Sequence, residues 1–588
     1  MMCRSFVLFL TMTLSQGACA FVVGLAGMLP LENRAAESSP LSSVRGQVGA
    51  ASVSCTHTPV PPSRLSPPVS AGVPLVGYSR VQLNDTMLQI ARRFGVTPEF
   101  SPEIQQELLA YSEQSLELDA LEDLTDLDFI TIDNDHSKDL DQAMRIVRGE
   151  QGYTVYYAIA DASYFVKEGS ALEARALARL FTTYLPGNDV PILPRKISED
   201  LCSLVPGKER RAVVAVIEVD LQGTVRLAHF KHAKVLSVHQ TSYRLVDQFY
   251  ADPHSFEPQH PFHANPQVAD TLVSLQRLGR VLSEQALQRG VVPIHSQREL
   301  RLVEKEKVLY LETPQSYQVE LWNAEISILT NRAVAEYLQQ KGVKLLHRYH
   351  PRPQKKRVAG LKKDLARLDL AIREGESLAH YASRLDLDSP KSYAALQLLS
   401  RVNDRAVYST QRHGHYGLKI EGGYTHFTAP MRRAADLFVH RVLLDVLSGV
   451  PVRYQEGVDL QVGSYPYLAA QEERLSQAQQ RESRIYRCCR RELIRKALEP
   501  HMNQIISGTV VSRDRRSVQV RLDQFPFDVD MELRDLSGKS RQKKAGGKGA
   551  RSQPHQRKAV GELGDSVKLK VQYVSDQLRL LPVTSRAG

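Results

Sequence analysis

The 588-residue sequence predicts an α+β body followed by a separate C-terminal β-barrel, and three observations carry that reading. Segments with apolar residues at helical spacing (Gln267 to Arg289, Val319 to Lys341, Gln471 through Leu498) share the chain with β-branched and aromatic runs (Phe129 to Ile132, Ala143 to Val147, Tyr153 to Ala160). Five short alternating segments crowd together after residue 500. An acidic stretch follows the first β-rich run directly, so negative charge is concentrated at the end of a buried strand.

The length exceeds what one core supports and implies about three to five domains. We divide the chain into 1–75, a disordered, targeting or misassigned segment; 76–120, a helical lead-in; 121–450, the α+β body; 451–500, a helical connector; and 501–588, the β module with a basic insert at 538–558. Hydrophobic residues make up 42% of the chain, enough to bury these cores, and the net charge of +11 favours polyanionic partners, nucleic acid ahead of a membrane surface. Cys3, Cys19, Cys55, Cys202, Cys488 and Cys489 form no CxxC pair, which excludes a zinc ribbon and fits a reducing, cytoplasmic setting. Arg4, the apolar run Phe6 to Leu14 and Ala18-Cys19-Ala20 have the regions of a secretory signal, while residues 35–75 are Ser-, Pro- and Gly-rich without periodicity. A misassigned start (Met28 or Met87 instead), an organellar targeting segment and export all remain open.

The lead-in reads as two helices, Val81 to Gly95 and Ile104 to Leu121, the second opened by Ser101-Pro102-Glu103. Next comes the acidic stretch, with Asp133, Asp135, Asp139 and Asp141 inside nine residues. Such a cluster repels itself, and its hard oxygens suit Mg²⁺, Mn²⁺ or Ca²⁺. An EF-hand loop is disfavoured by Lys138 at the glycine position and Met144 at the glutamate position; a solvated acidic loop is the bland alternative. Asp139 and Asp141 are two apart, which on a strand turns both to one face.

Phe181-Thr182-Thr183-Tyr184-Leu185-Pro186-Gly187, Pro191 to Arg195 and Leu201-Cys202-Ser203-Leu204, followed much later by His415-Tyr416-Gly417-Leu418 and Tyr424 to Arg433 with Asp436, His440 and Arg441, resemble the ribonuclease II/ribonuclease R (RNB) family of processive 3′-to-5′ exoribonucleases. The resemblance spans about residues 120–450. It implies that Asp133, Asp139 and Asp141 hold catalytic Mg²⁺ (or Mn²⁺), with Gln142 where the family has a fourth Asp. An amide oxygen still coordinates but brings no charge. The resemblance further implies that Arg432 grips the scissile phosphate, Tyr184 stacks on the terminal base, Tyr243 lies near the 3′ end, Glu325 meets a ribose hydroxyl and Arg433 contacts RNA. The family's clamping Phe has no counterpart near Leu300 to Val303, and Ala434 replaces an aromatic. The expected product is a 5′-nucleoside monophosphate from single-stranded RNA, released by a monomer with no small-molecule cofactor and no membrane.

The bare residues ask for the same chemistry. Phosphodiester hydrolysis needs an activated water, a stabilised pentacoordinate phosphate and a neutralised leaving oxygen, which two divalent ions roughly 3.5–4 Å apart supply and a guanidinium reinforces. Taken singly, Arg432-Arg433 is a helix start, Tyr184 a turn tyrosine, Trp322 core, and His426 and His440 structural histidines. The run His347 to Lys363 is basic with interleaved aromatics and reads equally as an RNA-channel wall or a solvated face.

Ile505 to Ser512, Ser517 to Leu522, Phe527 to Glu532, Val567 to Val574 and Gln577 to Leu581 resemble an OB-fold RNA-binding domain. Its aromatics are confined to Phe525, Phe527 and Tyr573. Gly538 to Lys558 carries eight Lys or Arg and no acid, a phosphate-seeking arm. No second such domain is expected before residue 120. Two other classes stay in view: a catalytically weak RNA-binding relative, disabled at Gln142, and a Ca²⁺-regulated interaction protein.

Overall fold

The computed structural model describes residues 72–292, 300–386, 389–453, 465–514, 517–532, 561–574 and 577–583. The expectations placed on residues 1–71 and on the arm 538–558 lie outside the described residues.

The central sheet is built from Phe129–Asp133, Gln142–Arg148, Gly152–Ala160, Glu209–Asp220 and Val225–Ser242. Phe129–Asp133 runs parallel to the C-terminal half of Val225–Ser242, with Asp133 opposite Ser242. The N-terminal half of that same strand pairs antiparallel with Glu209–Asp220. One strand of 18 residues therefore serves both ends of the ladder, and the sheet curls round on itself. Neither Glu209–Asp220 nor Val225–Ser242 was assigned from the sequence. The first is buried almost throughout, so it carries a continuous apolar run in place of alternation.

Helices Pro266–Gln288 and Gln318–Gln340 lie as expected and pack against each other. A Cβ at Gly279 would fall 2.3 Å from the Trp322 ring, so the glycine is what lets Trp322, 4% exposed, into the core. The second lead-in helix is shorter than its periodicity implied. Pro102–Leu108 is helical, but Glu117 is left-handed (φ 50°) and the rest breaks into 3₁₀ turns. The Tyr111 hydroxyl donates to the Phe165 carbonyl, and Ile104, Tyr111 and Leu116 are buried in one cluster, so docking sets the path here over helical propensity.

The connector helix Tyr465–Leu498 ties the ends of the molecule together. Its Ile485 and Leu493 share a core with Leu83 and Met87 of Arg80–Arg92, Leu302 of the hairpin Arg301–Lys305/Val308–Glu312, and Val520 of the C-terminal sheet. Val73–Pro74 pairs with that hairpin, so ordered structure begins inside the segment assigned as disordered. The C-terminal sheet is five-stranded and antiparallel as expected, with Ile505–Arg513 pairing both Ser517–Leu522 and Ser566–Val574; among the described residues its edge strands do not close the barrel. Phe525 and Phe527 are 4% and 1% exposed and face its core, which leaves Tyr573 as the exposed aromatic. The sheet docks on helix Pro390–Val402, where the Tyr393 hydroxyl donates to Asp528 at 2.8 Å. Among the described residues no helix is long and apolar enough to cross a membrane.

Candidate active site

The acidic loop leaves the sheet at Asp133 and re-enters it at Gln142, so Asp139 and Asp141 sit in the loop itself; strand alternation does not explain their convergence. What shapes the loop is the Leu201 to Leu204 motif. The Ser203 hydroxyl accepts from the Leu140 amide at 2.9 Å and donates to the Lys138 carbonyl at 2.6 Å, and the Leu204 amide donates to the Leu140 carbonyl. Ala160 donates its amide to the Asp141 carbonyl, fixing the loop to the neighbouring strand.

The second half of the site is the turn before helix Ala434–Ser448. Its backbone is sewn to the segment that precedes Tyr184: the amide of Thr182 donates to the Arg432 carbonyl, and that of Ala434 to the Leu180 carbonyl. Tyr184 then stands on the short hairpin Thr183–Leu185/Asn188–Val190. Asp141 joins the halves, accepting from the Met431 amide and from Arg432 Nε, both at 3.0 Å.

Electrostatically the site is crowded with acid. Burial, then the charges of Asp133, Asp141 and Asp189, push the Asp139 carboxyl well up, with Arg432 the opposing pull. Burial pushes Asp141 up to about 6 against Arg432 and the Met431 amide. Arg432, 5% exposed, is held firmly charged: burial opposes it, but Tyr184, Asp141, Asp133 and Asp139 outweigh burial. Its Nη1 is buried without a hydrogen-bond partner in the described structure, a donor left over for an oxyanion. Asp135 is turned aside; burial raises it, but bonds from Arg244 and Ser242 hold it below the usual range.

The other sequence candidates divide. Tyr184 and Tyr243 are both buried beside the carboxylates, Tyr184 near Arg432 and Tyr243 near Asp133, with the Tyr243 hydroxyl accepting from Asn323. Gln142 spends its amide on the protein. It donates to the Thr428 carbonyl and accepts from the Tyr157 hydroxyl at 3.0 Å, which leaves one lone pair on its oxygen. Arg433 is not presented to a ligand as expected. It is fully buried, with its guanidinium forked onto Asp436 at 2.9 and 2.7 Å, and Asp436 also accepts from the Ala429 amide, so the pair holds the turn on which Arg432 rides. Glu325 feels Arg289, and burial pushes it up to about 7. One turn earlier on the same helix, Glu320 is the carboxyl that senses Asp133, raised by burial to about 8.

Tyr157 and Glu320 were missed from the sequence. Tyr157 was legible only as a strand residue, since its hydroxyl's partners, Gln142 and Ser327, are distant in the chain. His426 bonds the Tyr408 hydroxyl and His440 the Phe427 carbonyl, both in the core. The basic run splits: Arg348 is buried over the Tyr408 ring at 4.6 Å, while Lys355, Lys356, Arg357, Lys362 and Lys363 lie exposed on helix Lys355–Arg367.

Among the described residues no three acidic, His or Cys side chains form a ready-made metal cage. The donor chemistry nevertheless fits a hard divalent cation: oxygens only, mutually raised, and short of positive charge.

Residues 121–449 match the RNB domain family, over half of the 588 residues. Ribonuclease R of Mycoplasma pneumoniae is 30% identical over 349 residues, covering 58% of this chain and 47% of that protein. Ribonuclease R of Thermotoga maritima is 31% identical over 329 residues, covering 55% and 45%. The chain thus spans about half the length of these relatives. Among solved structures, Mycoplasma genitalium RNase R in complex with ribose-methylated single-stranded RNA superposes with a TM-score of 0.73 at 23% identity, covering 85% of this chain and 78% of that one. Yeast Ssd1, a pseudonuclease, superposes at 0.57 and 20%, covering 71% and 50%. These likenesses show a shared fold. With the acidic loop, the Tyr184 hairpin and the Arg432 turn assembled in one place, and the family match running across all three, the chain belongs to the RNB domain family.

Proposed function

We propose that the protein is a 3′-to-5′ exoribonuclease that hydrolyses single-stranded RNA to 5′-nucleoside monophosphates with Mg²⁺ or Mn²⁺, acting as a monomer in the cytoplasm. The observation that carries this reading is the pairing of a self-repelling carboxylate group with a buried, charged guanidinium that has a donor to spare. Asp133, Asp139 and Asp141 hold the metal, with Gln142 adding at most one neutral oxygen. When bound, the metal supplies an activated water and neutralises the leaving oxygen. Arg432 binds the non-bridging oxygens of the scissile phosphate through Nη1 while Nε stays on Asp141. The Tyr184 ring, on a hairpin pinned to the Arg432 turn, lies flat against the terminal base, and Tyr243 bounds the 3′ end near Asp133. Arg433 and Asp436 keep the turn rigid, so that Arg432 is set before substrate arrives.

A second reading, RNA binding without hydrolysis, is favoured by Gln142, whose amide is already committed to Tyr157 and Thr428, and by the likeness to a pseudonuclease. End-labelled single-stranded RNA separates the two. Stepwise loss of nucleotides from the 3′ end with Mg²⁺, abolished by chelator, supports the exonuclease; intact RNA under both conditions, with tight binding, supports the second reading.

A further inference from the structure

We propose that the cleft walled by Arg289, Tyr349, Arg352, His413, Tyr416 and Lys419 is a second nucleic-acid subsite, holding a phosphate and a base of the same RNA on the 5′ side of the scissile bond. The proposal rests on the exonuclease reading of the chain.

The cleft is about 880 Å³, and none of the carboxylates of the candidate active site lines it. It is built on the strand pair His347–Tyr349/Val407–Ser409 and the loop that follows. The loop's shape is enforced locally. A Cβ at Gly414 would lie 2.6 Å from the Ile420 carbonyl oxygen, and Lys419 takes the left-handed conformation (φ 54°), a strained backbone for a lysine. The loop leads without interruption into the Arg432 turn, and the Arg348 amide donates to the Tyr424 carbonyl. Ile328, Leu418 and Tyr424 form one buried cluster on helix Gln318–Gln340. Ile328 is about 12 Å along that helix from Glu320, which senses Asp133, so the two places lie along one track.

The lining has the two features that single-strand binding uses, positive charge and stacking surface. Arg289, Arg352 and Lys419 face it, with Arg412 next to it, against the single lining carboxylate Glu421 and, behind Arg289, Glu325. Among the described residues none of these four cations forms an ion pair with a carboxylate within 4 Å. Lys419 Nζ sits 3.9 Å over the Tyr416 ring, and the Tyr349 and His413 rings are 4.6 Å apart. Burial, then Arg352, brings the Lys419 amine down to about 8. A desolvated cation of this kind gains from an incoming phosphate.

Two polar atoms on the cleft wall have no partner in the described structure. His350, 2% exposed, accepts from the Gly417 amide through Nδ1 and leaves Nε2 unbonded; burial, then Arg348, holds it down at about 4, so it is neutral. The Tyr416 hydroxyl is likewise buried and unbonded. Buried orphans of this kind mark a place where a ligand completes the hydrogen bonding.

The test is the double variant Arg352→Gln/Lys419→Gln in the full chain, with Arg352→Lys/Lys419→Arg as the conservative control, on a long single-stranded oligoribonucleotide and on a trinucleotide. The neutral variant loses about tenfold in affinity for the long RNA, and its salt dependence flattens by about 1.4, two phosphates at roughly 0.7 each. Trinucleotide hydrolysis stays at the wild-type rate, and the control restores long-RNA binding. Unchanged affinity for the long RNA overturns the subsite, as does an equal loss on both substrates. If the wild type cleaves RNA while the variants match it, the subsite alone falls. If the wild type neither binds nor cleaves RNA, both readings fall.

Discussion

Two stations on one helix face opposite kinds of partner. Near the N-terminal end of Gln318–Gln340, Asp133, Asp139 and Asp141 crowd together and raise one another's affinity for protons, with Arg432 as the guanidinium among them. Near Ile328, the loop His413 to Glu421 presents cations and aromatic rings to open space. The first station is completed by a cation and suits bond breaking; the second is completed by an anion and suits holding. A single fold segment, the chain from Gly414 to Arg433, serves both. Chemistry and grip should therefore separate under mutation.

The largest effect breaks the segment itself. Arg433→Gln leaves Asp436 buried without its cation, and removing one partner of such a pair costs about 3–5 kcal/mol. Denaturant unfolding should show that loss, with both hydrolysis and binding failing together. Arg432→Gln, one residue away, should leave unfolding near wild type while hydrolysis falls roughly 10²–10³-fold, the usual cost of a transition-state donor; parallel loss of stability would make the two arginines equivalent and dissolve the contrast. At the second station, Glu421→Gln removes the carboxylate from the cleft and should tighten long RNA by a few-fold, about 0.2–1 kcal/mol, without changing the cleavage rate of a trinucleotide.

The smallest effect is a titration. The Lys419 amine is at about 8 in the fold against 10.5 for a free lysine, with Arg352, Arg289, Arg412, His350, His413 and Glu421 around it. Between those pH values the unfolded chain binds more protons than the folded one, so this group's contribution makes stability rise with pH across that window. Thermal melts of wild type against Lys419→Met should show the rise only in the wild type.

Much of this was readable in the residues. The acidic loop, Tyr184 and Arg432 announce themselves because carboxylates at a strand end and an arginine before a helix are unusual in composition, and the motif order matched a family. The long helices and the five C-terminal strands keep clean periods. What stayed hidden depends on contacts between distant segments. Glu209–Asp220 is buried on both faces and lacks alternation; Tyr157 gains meaning only from Gln142 and Ser327; Arg433 reads like Arg432 until Asp436 is seen to take its fork. The cleft around Lys419 draws on Arg289, on Tyr349 to Arg352 and on His413 to Glu421, which no local pattern connects.

The central claim, that the acidic station performs the cleavage and other surfaces hold the RNA, meets its most direct test at Asp141, the carboxylate that bridges the two halves of the site. Asp141→Asn keeps the shape and removes the charge. For one purified variant, both the RNA dissociation constant and the rate of mononucleotide release should be measured with Mg²⁺ present. The account predicts release lowered by at least about 10²–10³-fold, with affinity for long RNA unchanged or higher, because one phosphate-repelling charge is gone. Release at the wild-type rate would contradict it.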